Sequence, residues 1–336
     1  MLPLATVNAY SEASDLSHIK GDAMAGAIET RSIDWIPTGE RRGKVHHQAP
    51  FWFTGNFVLT TMVTGFLGPA NGLSAGWSVL AAVAGACFGT LFMCFHANQG
   101  PTMGLPQMIQ SRAQFGSRGA LVPFVAVIFV YIGFNVFNTI LATSGFKTVF
   151  AGPNWLWYLG LMVAAIVIAV VGFDLMMVVQ RWLTYLLIVV FGVLTVYALS
   201  TLHLNAAVPD GGKFSLTVFL MQFAAAAGYQ ISYAVYVSDY SRYLPENTSA
   251  KHVIWWTYLG AAGSSVWLMS LGAVLASALP TPDAIVSIQT VGNQLWPGFG
   301  TFTVVVASIA LVTIMSVNAY GASLTSMSAL DAFRPI

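Results

Sequence analysis

The amino-acid sequence predicts an all-α polytopic membrane protein with about eight transmembrane helices. Of the 336 residues, 57% are hydrophobic and 7% are charged, whereas about 25% of residues are charged in an average soluble domain. The apolar residues form long runs, each close to the roughly 20 residues of helix that cross the hydrocarbon core of a bilayer. These runs are continuous and do not alternate with polar residues, so they exclude a membrane β-barrel.

Eight apolar spans follow one another along residues 51–330, which we expect to form one transmembrane domain. Residues 1–50 are polar and are predicted to be a cytoplasmic tail. Helices are the structure expected for every span, because they satisfy all backbone polar groups within the segment. The predicted spans are 51–72, 73–95, 120–144, 155–176, 182–202, 214–237, 253–279 and 298–326.

The distribution of positive charge predicts how the spans are oriented. With a cytoplasmic N-terminus, that side of the membrane holds 11 of the 13 Lys and Arg residues, and the other side holds 2. Cytoplasmic loops carry such an excess, so we expect a multi-pass protein of the inner (plasma) membrane. The 11 residues are Lys20, Arg31, Arg41, Arg42, Lys44, Arg112, Arg118, Arg181, Arg242, Lys251 and Arg334, and the two are Lys147 and Lys213.

The sequence lacks the features that are typical of several classes of function. The net charge of +1 and the lack of a basic patch with interleaved aromatic residues give no indication of nucleic-acid binding. The sequence shows no cluster of metal ligands, no nucleophile with a base partner and no Walker-type phosphate loop. We therefore expect neither an enzyme nor a cofactor or resident metal, and favour secondary transport of a neutral polar solute.

Spans 1 and 6 contain residues that are typical of interrupted helices. Transporters with inverted repeats place substrate and ion sites at such interruptions, in corresponding spans of the two halves. Alternatively, the Gly and Ala residues only allow neighbouring helices to pack closely. The residues concerned are Asn56, Thr60, Thr61, Thr64, Gly65, Gly68 and Pro69 in span 1, and Gln222, Gly228, Tyr229, Gln230 and Ser232 in span 6.

Spans 3 and 8 carry amides that are costly in lipid. Phe134 and Asn138 are four residues apart and share one helical face, a pairing suited to stacking and hydrogen bonding of a planar heterocycle. Asn318 is a second amide, and Thr313 is a candidate oxygen donor for a cation. In the alternative interpretation the amides join two helices, and the hydroxyls bond to their own backbone.

The loop between spans 2 and 3 begins with Gly and Pro residues and continues as a short amphipathic stretch. One interpretation is an interfacial helix that places Arg112 and Arg118 at the anionic leaflet. The other is a conformational coupler on the cytoplasmic face.

Four segments of the sequence carry a resemblance to a known family that extends over essentially the whole chain. They are Ile28-Glu29-Thr30-Arg31-Ser32-Ile33-Asp34-Trp35-Ile36-Pro37, Phe51-Trp52-Phe53-Thr54-Gly55-Asn56, Gly104-Leu105-Pro106-Gln107-Met108 and Ser238-Asp239-Tyr240-Ser241-Arg242-Tyr243. In this order they resemble bacterial purine–cytosine permeases of the nucleobase:cation symporter-1 family.

The resemblance implies the leucine-transporter fold, with two inverted five-helix repeats. The first repeat corresponds to about 51–202 and a partial second repeat to about 214–330. Because two such repeats need ten spans, the second repeat is expected to be incomplete, in a fragment of a longer permease or in a truncated product.

The resemblance also implies roles for individual residues. Phe134 and Asn138 resemble the aromatic and amide of span 3 that contact substrate, with Phe in place of the usual Trp. Gly228 and Tyr229 resemble the stacking position of span 6, so Phe134 and Tyr229 are expected to sandwich the substrate ring. Asn318 matches the amide of span 8.

A coupling cation, Na⁺ or H⁺, is implied as the second solute. Its candidate ligands are Thr60, Thr64 and Thr313, although Val312 stands where sodium-coupled members carry a further hydroxyl. The leading hypothesis is nucleobase import by cation symport with alternating access. The alternatives are a permease of the same fold for allantoin, hydantoin or a vitamin precursor, and a truncated membrane protein that does not transport.

Overall fold

The computed structural model describes residues 32–171, 173–281 and 283–333, with the side chains of 171–178 left out. Residues 1–31 of the predicted tail therefore lie outside the described part. Helices make up most of this part, and it contains no β-strand, which confirms the all-α prediction. The helices are α1 Gln48–Asn56, α2 Leu59–Thr64, α3 Leu67–Ala70, α4 Ala75–Ala97, α5 Gln99–Met103, α6 Gln107–Gly119, α7 Leu121–Phe146, α8 Asn154–Val171, α9 Phe173–Thr201, α10 Leu216–Ile231, α11 Ser238–Ser241, α12 Ala250–Ala278, α13 Ala284–Leu295 and α14 Phe299–Asp331.

Six helical segments of the described chain are long and apolar enough to cross a membrane. A seventh apolar helix, Asn154–Val170, is shorter. The predicted first span is divided among α1, α2 and α3. The long segments are Ala75–Met103, Leu121–Phe146, Val179–Thr201, Leu216–Val235, Ala250–Ala278 and Phe299–Asp331.

The first span is interrupted at two apolar residues, Phe57 and Val58. Val58 is fully extended, with φ −134° and ψ 161°, so the helix stops at Asn56 and starts again at Leu59. The carbonyl of Asn56 accepts hydrogen bonds from the Val58 amide at 3.0 Å and from the Thr61 hydroxyl at 2.5 Å. Local partners thus satisfy the carbonyl that the break leaves open, as an apolar environment requires.

A second interruption separates α2 from α3 and is closed by a side chain of span 6. The Gln222 amide donates to the Thr64 carbonyl at 3.0 Å, and its oxygen accepts from the Gly68 amide at 2.8 Å. Gln222 has no exposed surface. The Gln222 side chain therefore bridges the donor and the acceptor of one lost helical hydrogen bond, between the Gly68 amide and the Thr64 carbonyl, and ties α10 to the first span.

Span 6 is also interrupted, as its composition predicts. The helix α10 ends at Ile231, a 3₁₀ turn covers Ser232–Val235, and α11 follows from Ser238. The interruptions of spans 1 and 6 lie beside each other, because the Gln230 amide donates to the Asn56 side-chain oxygen at 3.1 Å.

The helices form two groups, each packed more extensively within itself than against the other. The first group contains α1, α2, α4, α10 and α12, and the second contains α7, α8, α9, α13 and α14. Backbone approaches backbone inside the first group: a Cβ at Gly65 would overlap the Met269 carbonyl oxygen, and a Cβ at Gly272 would overlap that of Met62. A Cβ at Gly260 would likewise overlap the carbonyl oxygen of Ala49.

The helix α13 was not predicted. Asp283 caps its N-terminus by accepting a hydrogen bond from the Val286 amide at 2.9 Å. Ile285, Ile288 and Val291 are buried in the core of the second group. The capping residue and the spacing of these apolar positions are helix signals, but 12 residues are too few to register as a span.

The loop after span 2 contacts both α14 of the second group and α11 at the end of span 6. The Arg112 guanidinium forms an ion pair with Asp331 at 2.7 Å and donates to the Ser328 carbonyl, both at the end of α14. At the other end of α6, the backbone N–H of Gln107 donates to the Asp239 carboxylate at 2.6 Å. Arg112 therefore binds α14 and does not lie free at the leaflet, which favours the coupler interpretation.

Candidate functional site: a cavity between the two helix groups

A closed cavity lies where the interruptions of spans 1 and 6 face spans 3 and 8. Its free volume is about 20 Å³, room for about one water molecule. Both helix groups contribute to its wall. The lining residues are Phe51, Trp52, Gly55, Val58, Thr60, Phe134, Asn138, Gln180, Tyr229, Tyr233, Tyr236, Tyr240, Ile314, Val317 and Asn318.

The structure brings together four of the five predicted substrate residues at this cavity. Phe134, Asn138, Tyr229 and Asn318 all line it, whereas Gly228 does not. Gly228 instead faces a second cavity of about 520 Å³, which opens between α2, α7 and α10.

Three side chains form the partition between the two cavities. Thr60, Phe134 and Tyr229 line both of them. The Phe134 and Tyr229 rings meet edge to face, with centroids 5.7 Å apart and planes at 82°. A planar ligand can therefore lie between the two rings only if one of them turns, and the sandwich around a bound ring stays a prediction.

The amide of Asn138 is oriented by Thr60 of α2, which follows the interruption of span 1. The Thr60 hydroxyl donates to the Asn138 oxygen at 2.5 Å. Asn138 is 1% exposed, so its NH₂ group is directed into a nearly closed space. This arrangement leaves the donor side of the amide for a ligand.

Asn318 is held by a residue that sequence reasoning missed. Its NH₂ group donates to the side-chain oxygen of Asn135 at 2.9 Å, and the Asn135 NH₂ group donates to the Met315 carbonyl at 3.2 Å. Asn135 directly follows Phe134 in the sequence. The only signal was its side-chain type, since a lone sequence does not show which face of α7 meets α14.

The hydroxyl of Tyr229 belongs to a chain of hydrogen bonds that ends at the interruption of span 1. The Tyr233 hydroxyl donates to that of Tyr229 at 3.1 Å, and the Tyr229 and Thr61 hydroxyls are 2.8 Å apart. Because the Thr61 hydrogen is used on the Asn56 carbonyl, the Tyr229 hydroxyl donates to Thr61. The phenol is thus fixed at its polar end while its ring faces the cavity.

A row of aromatic rings from span 6 lines one side of the cavity. Tyr229, Tyr233, Tyr236 and Tyr240 recur at a spacing of about one helical turn, and neighbouring rings in the first three are 5.6 Å apart. Trp52 of α1 contacts Tyr233 and Tyr240 at 5.9 Å and 5.5 Å. Their regular spacing was visible in the sequence but was not used in the site prediction.

The three predicted cation ligands are not gathered at one point. Thr60 lines both cavities and Thr64 lines only the larger one. The Thr64 and Thr313 hydroxyls donate to carbonyls of their own helices, at 3.1 Å and 2.7 Å. Hydroxyls in membrane helices commonly bond in this way, so the cation site stays a prediction.

A family model now assigns the chain. The model for permeases of cytosine/purines, uracil, thiamine and allantoin matches residues 35–336. The chain belongs to this permease family.

Individual relatives agree with the family assignment. The Bacillus subtilis protein YxlA, which carries the name purine-cytosine permease, is 38% identical over 313 residues, covering 91% of this chain and 66% of the relative. Purine-cytosine permease FCY2 of Saccharomyces cerevisiae is 24% identical, covering 95% of this chain and 63% of the relative. The chain thus spans about two thirds of the length of these relatives.

Solved structures of Mhp1 share the fold. A closed conformation with bromovinylhydantoin bound, described as a nucleobase-cation-symport-1 family transporter, superposes with a TM-score of 0.73 over 92% of this chain and 70% of that one. An inward-facing conformation gives a TM-score of 0.72, with 92% and 69% covered. The sequence identity of 16% in both cases shows likeness of fold, and the leucine-transporter-like prediction is confirmed.

Proposed function

We propose that the chain acts as a secondary active transporter that imports a nucleobase, such as cytosine or a purine. The observation that carries this proposal is the closed cavity between the two helix groups, lined by aromatic rings and two amides. Aromatic stacking contributes about 1–3 kcal/mol per base in nucleic-acid complexes, and amides supply the hydrogen bonds that discriminate among polar rings.

The arrangement of the two cavities supports alternating access as the proposed mode of transport. The partition of Thr60, Phe134 and Tyr229 is only one layer of side chains thick, and it separates the small cavity from the larger open one. Movement of one helix group relative to the other opens the small cavity to one side at a time. We place the N-terminus on the cytoplasmic side of the inner membrane, because of the 11 to 2 distribution of Lys and Arg.

Coupling to a cation is the second part of the proposal. Thr60 and Thr64 lie on one face of α2, beside the interruption of span 1, and Thr313 lies on α14. Each hydroxyl is a donor in its present hydrogen bond, so its oxygen lone pairs remain for Na⁺. Val312 supplies no second hydroxyl, and a proton is the other candidate ion.

Another solute of similar chemistry is the second candidate function. The Saccharomyces cerevisiae vitamin B6 transporter TPN1 is 25% identical over 350 residues, covering 96% of this chain. A pyridine ring with polar substituents has the same needs as a nucleobase, namely a stacking surface and edge-on hydrogen bonds. A protein that inserts but does not transport remains the rival outside this class.

Uptake by the purified chain in proteoliposomes tests the proposed function. Radiolabelled cytosine, adenine, uracil and pyridoxine are supplied with an inward Na⁺ gradient, with choline replacing Na⁺, and with an uncoupler. We expect saturable uptake of at least one heterocycle and loss of accumulation when the coupling ion gradient is removed. Correct insertion without saturable uptake of any of them would defeat the transporter proposal, and protein-free liposomes provide the background.

Replacement of Tyr229 tests the stacking role. Tyr229→Trp keeps a large flat ring, so we expect its ligand affinity to stay within about tenfold of wild type, whereas Tyr229→Ala loses stacking worth about 1–3 kcal/mol. Competition of unlabelled solute against labelled solute measures the ligand affinity of both variants. Complete loss of binding in Tyr229→Trp, with normal insertion, would contradict stacking at this position.

A further inference from the structure

We propose that Asn135 is a positioning residue that fixes the Asn318 amide with its carbonyl oxygen directed to the ligand cavity. This site then selects substrates that present an N–H donor to span 8. The inference rests on the proposed function, and it adds the polarity of one contact that the substrate must make.

The orientation of the two amides follows from the Met315 carbonyl, which can only accept a hydrogen bond. The Met315 carbonyl is a backbone acceptor, so the Asn135 atom 3.2 Å from it must be the NH₂ group. The opposite atom of the Asn135 amide is therefore the oxygen. Because an oxygen only accepts, the Asn318 atom 2.9 Å from it must be NH₂ in turn.

The oxygen of Asn318 is thereby left for a ligand. Asn318 lines the cavity, whereas Asn135 is buried behind it and does not. Among the described residues, no donor reaches the Asn318 oxygen, and the residue is 5% exposed. A solute that fills the cavity displaces water from this oxygen. An oxygen then left without a donor is costly, so binding of a solute that donates to it is favoured over binding of one that does not.

The second amide has the opposite polarity. Thr60 donates to the Asn138 oxygen, which leaves the Asn138 NH₂ group for an acceptor on the solute. The two amides together therefore suit a heterocycle that carries both donors and acceptors in its plane, such as a lactam, an imide or an amino-substituted ring. A ring with acceptors alone, or one whose N–H groups are methylated, is disfavoured.

The first experiment does not depend on transport. Melting temperatures in detergent are measured for Asn135→Ala, Asn318→Ala and the double variant. If Asn135 holds Asn318, the double variant loses less than the sum of the two single losses, because both single variants remove the same hydrogen bond. Additive losses would overturn the positioning role; if Asn135→Ala does not fold, Asn135→Ser takes its place in the cycle.

The second experiment measures donor selectivity. Competition by 1-methylcytosine and N4,N4-dimethylcytosine is compared with that by 5-methylcytosine, which adds a methyl group without removing a donor. The adenine set is 9-methyladenine, N6,N6-dimethyladenine and 8-methyladenine. In wild type, at least one N-methylated compound is expected to compete about tenfold or more weakly than its C-methylated control, the effect of one unmade buried hydrogen bond.

In Asn135→Ala the Asn318 amide is free to rotate, so this ratio is expected to fall to about twofold. Thr139→Val is the matched control, since its hydroxyl donates to the Asn135 backbone carbonyl at 2.6 Å one turn away and takes no part in the amide pair. It should keep the wild-type ratio. An unchanged ratio in a folded Asn135→Ala protein would overturn the proposal. Failure of wild type to take up any nucleobase would instead count against the proposed function, and the melting cycle would still decide the role of Asn135.

Discussion

Asn318→Ala is expected to abolish saturable uptake while leaving membrane insertion normal. The substitution removes the polar group that span 8 presents to the cavity and also leaves the Asn135 oxygen without its donor. One lost hydrogen bond to a solute costs about 1–3 kcal/mol, which corresponds to roughly 5- to 150-fold in affinity. The proposed transport cycle uses this contact at every turnover, so we expect uptake at background levels in proteoliposomes.

Ser323→Ala is the matched control on the same helix. Ser323 is exposed, and its hydroxyl donates to the Tyr320 carbonyl of its own helix at 2.7 Å. The uptake by the Ser323→Ala variant, and its elution volume on a sizing column in detergent, should equal those of wild type. Wild-type uptake by Asn318→Ala would remove Asn318 from the site.

Gly272→Ala is expected to destabilise the protein although it adds one methyl group. That methyl would overlap the Met62 carbonyl oxygen, which is part of the backbone of α2 and cannot rotate away. Forcing an extra methyl group into a well-packed interface typically costs about 1–3 kcal/mol. Thermal unfolding in detergent, monitored by size-exclusion chromatography, measures the loss of stability.

Gly263→Ala serves as the control for this effect. Gly263 lies on the same helix, and a Cβ there would meet nothing within 4 Å. Because Ala favours a helix over Gly by about 1 kcal/mol, this variant should melt at or above the wild-type temperature. Equal melting of the two variants would show that α2 and α12 do not approach as closely as the structure indicates.

The helical architecture was predictable because it depends on apolar run length, which a sequence displays directly. The interruptions of spans 1 and 6 were also predictable in kind, but not in place. Span 1 breaks at Phe57 and Val58, two ordinary apolar residues. Gly65 and Gly68 do not mark this break, and are needed because other parts of the protein approach them closely. A Cβ at Gly65 would meet the backbone of α12, and one at Gly68 would crowd the Ser78 side chain.

The candidate site was predictable as far as single residues go. Phe134, Asn138, Tyr229 and Asn318 meet at one cavity. Their side-chain types marked them as candidates, and the resemblance to the permease family selected them as substrate residues. Their mutual geometry was not predictable, because the edge-to-face angle of the two rings and the role of Asn135 depend on how α7 packs against α10 and α14. Gly228 faces the neighbouring cavity for the same reason.

The contacts of α12 determine what the interruption of span 1 is able to do. Gly260 lies against the Ala49 backbone on one side of the break, and Gly272 lies against the Met62 backbone on the other. A continuous 29-residue helix is thus fastened to both halves of a broken one. Because both halves of span 1 pack closely against the same helix, bending at the break is expected to disturb at least one of these two contacts. The movement that admits the proposed solute is then expected at the surface where the amides of α7 and α14 face the tyrosines of span 6.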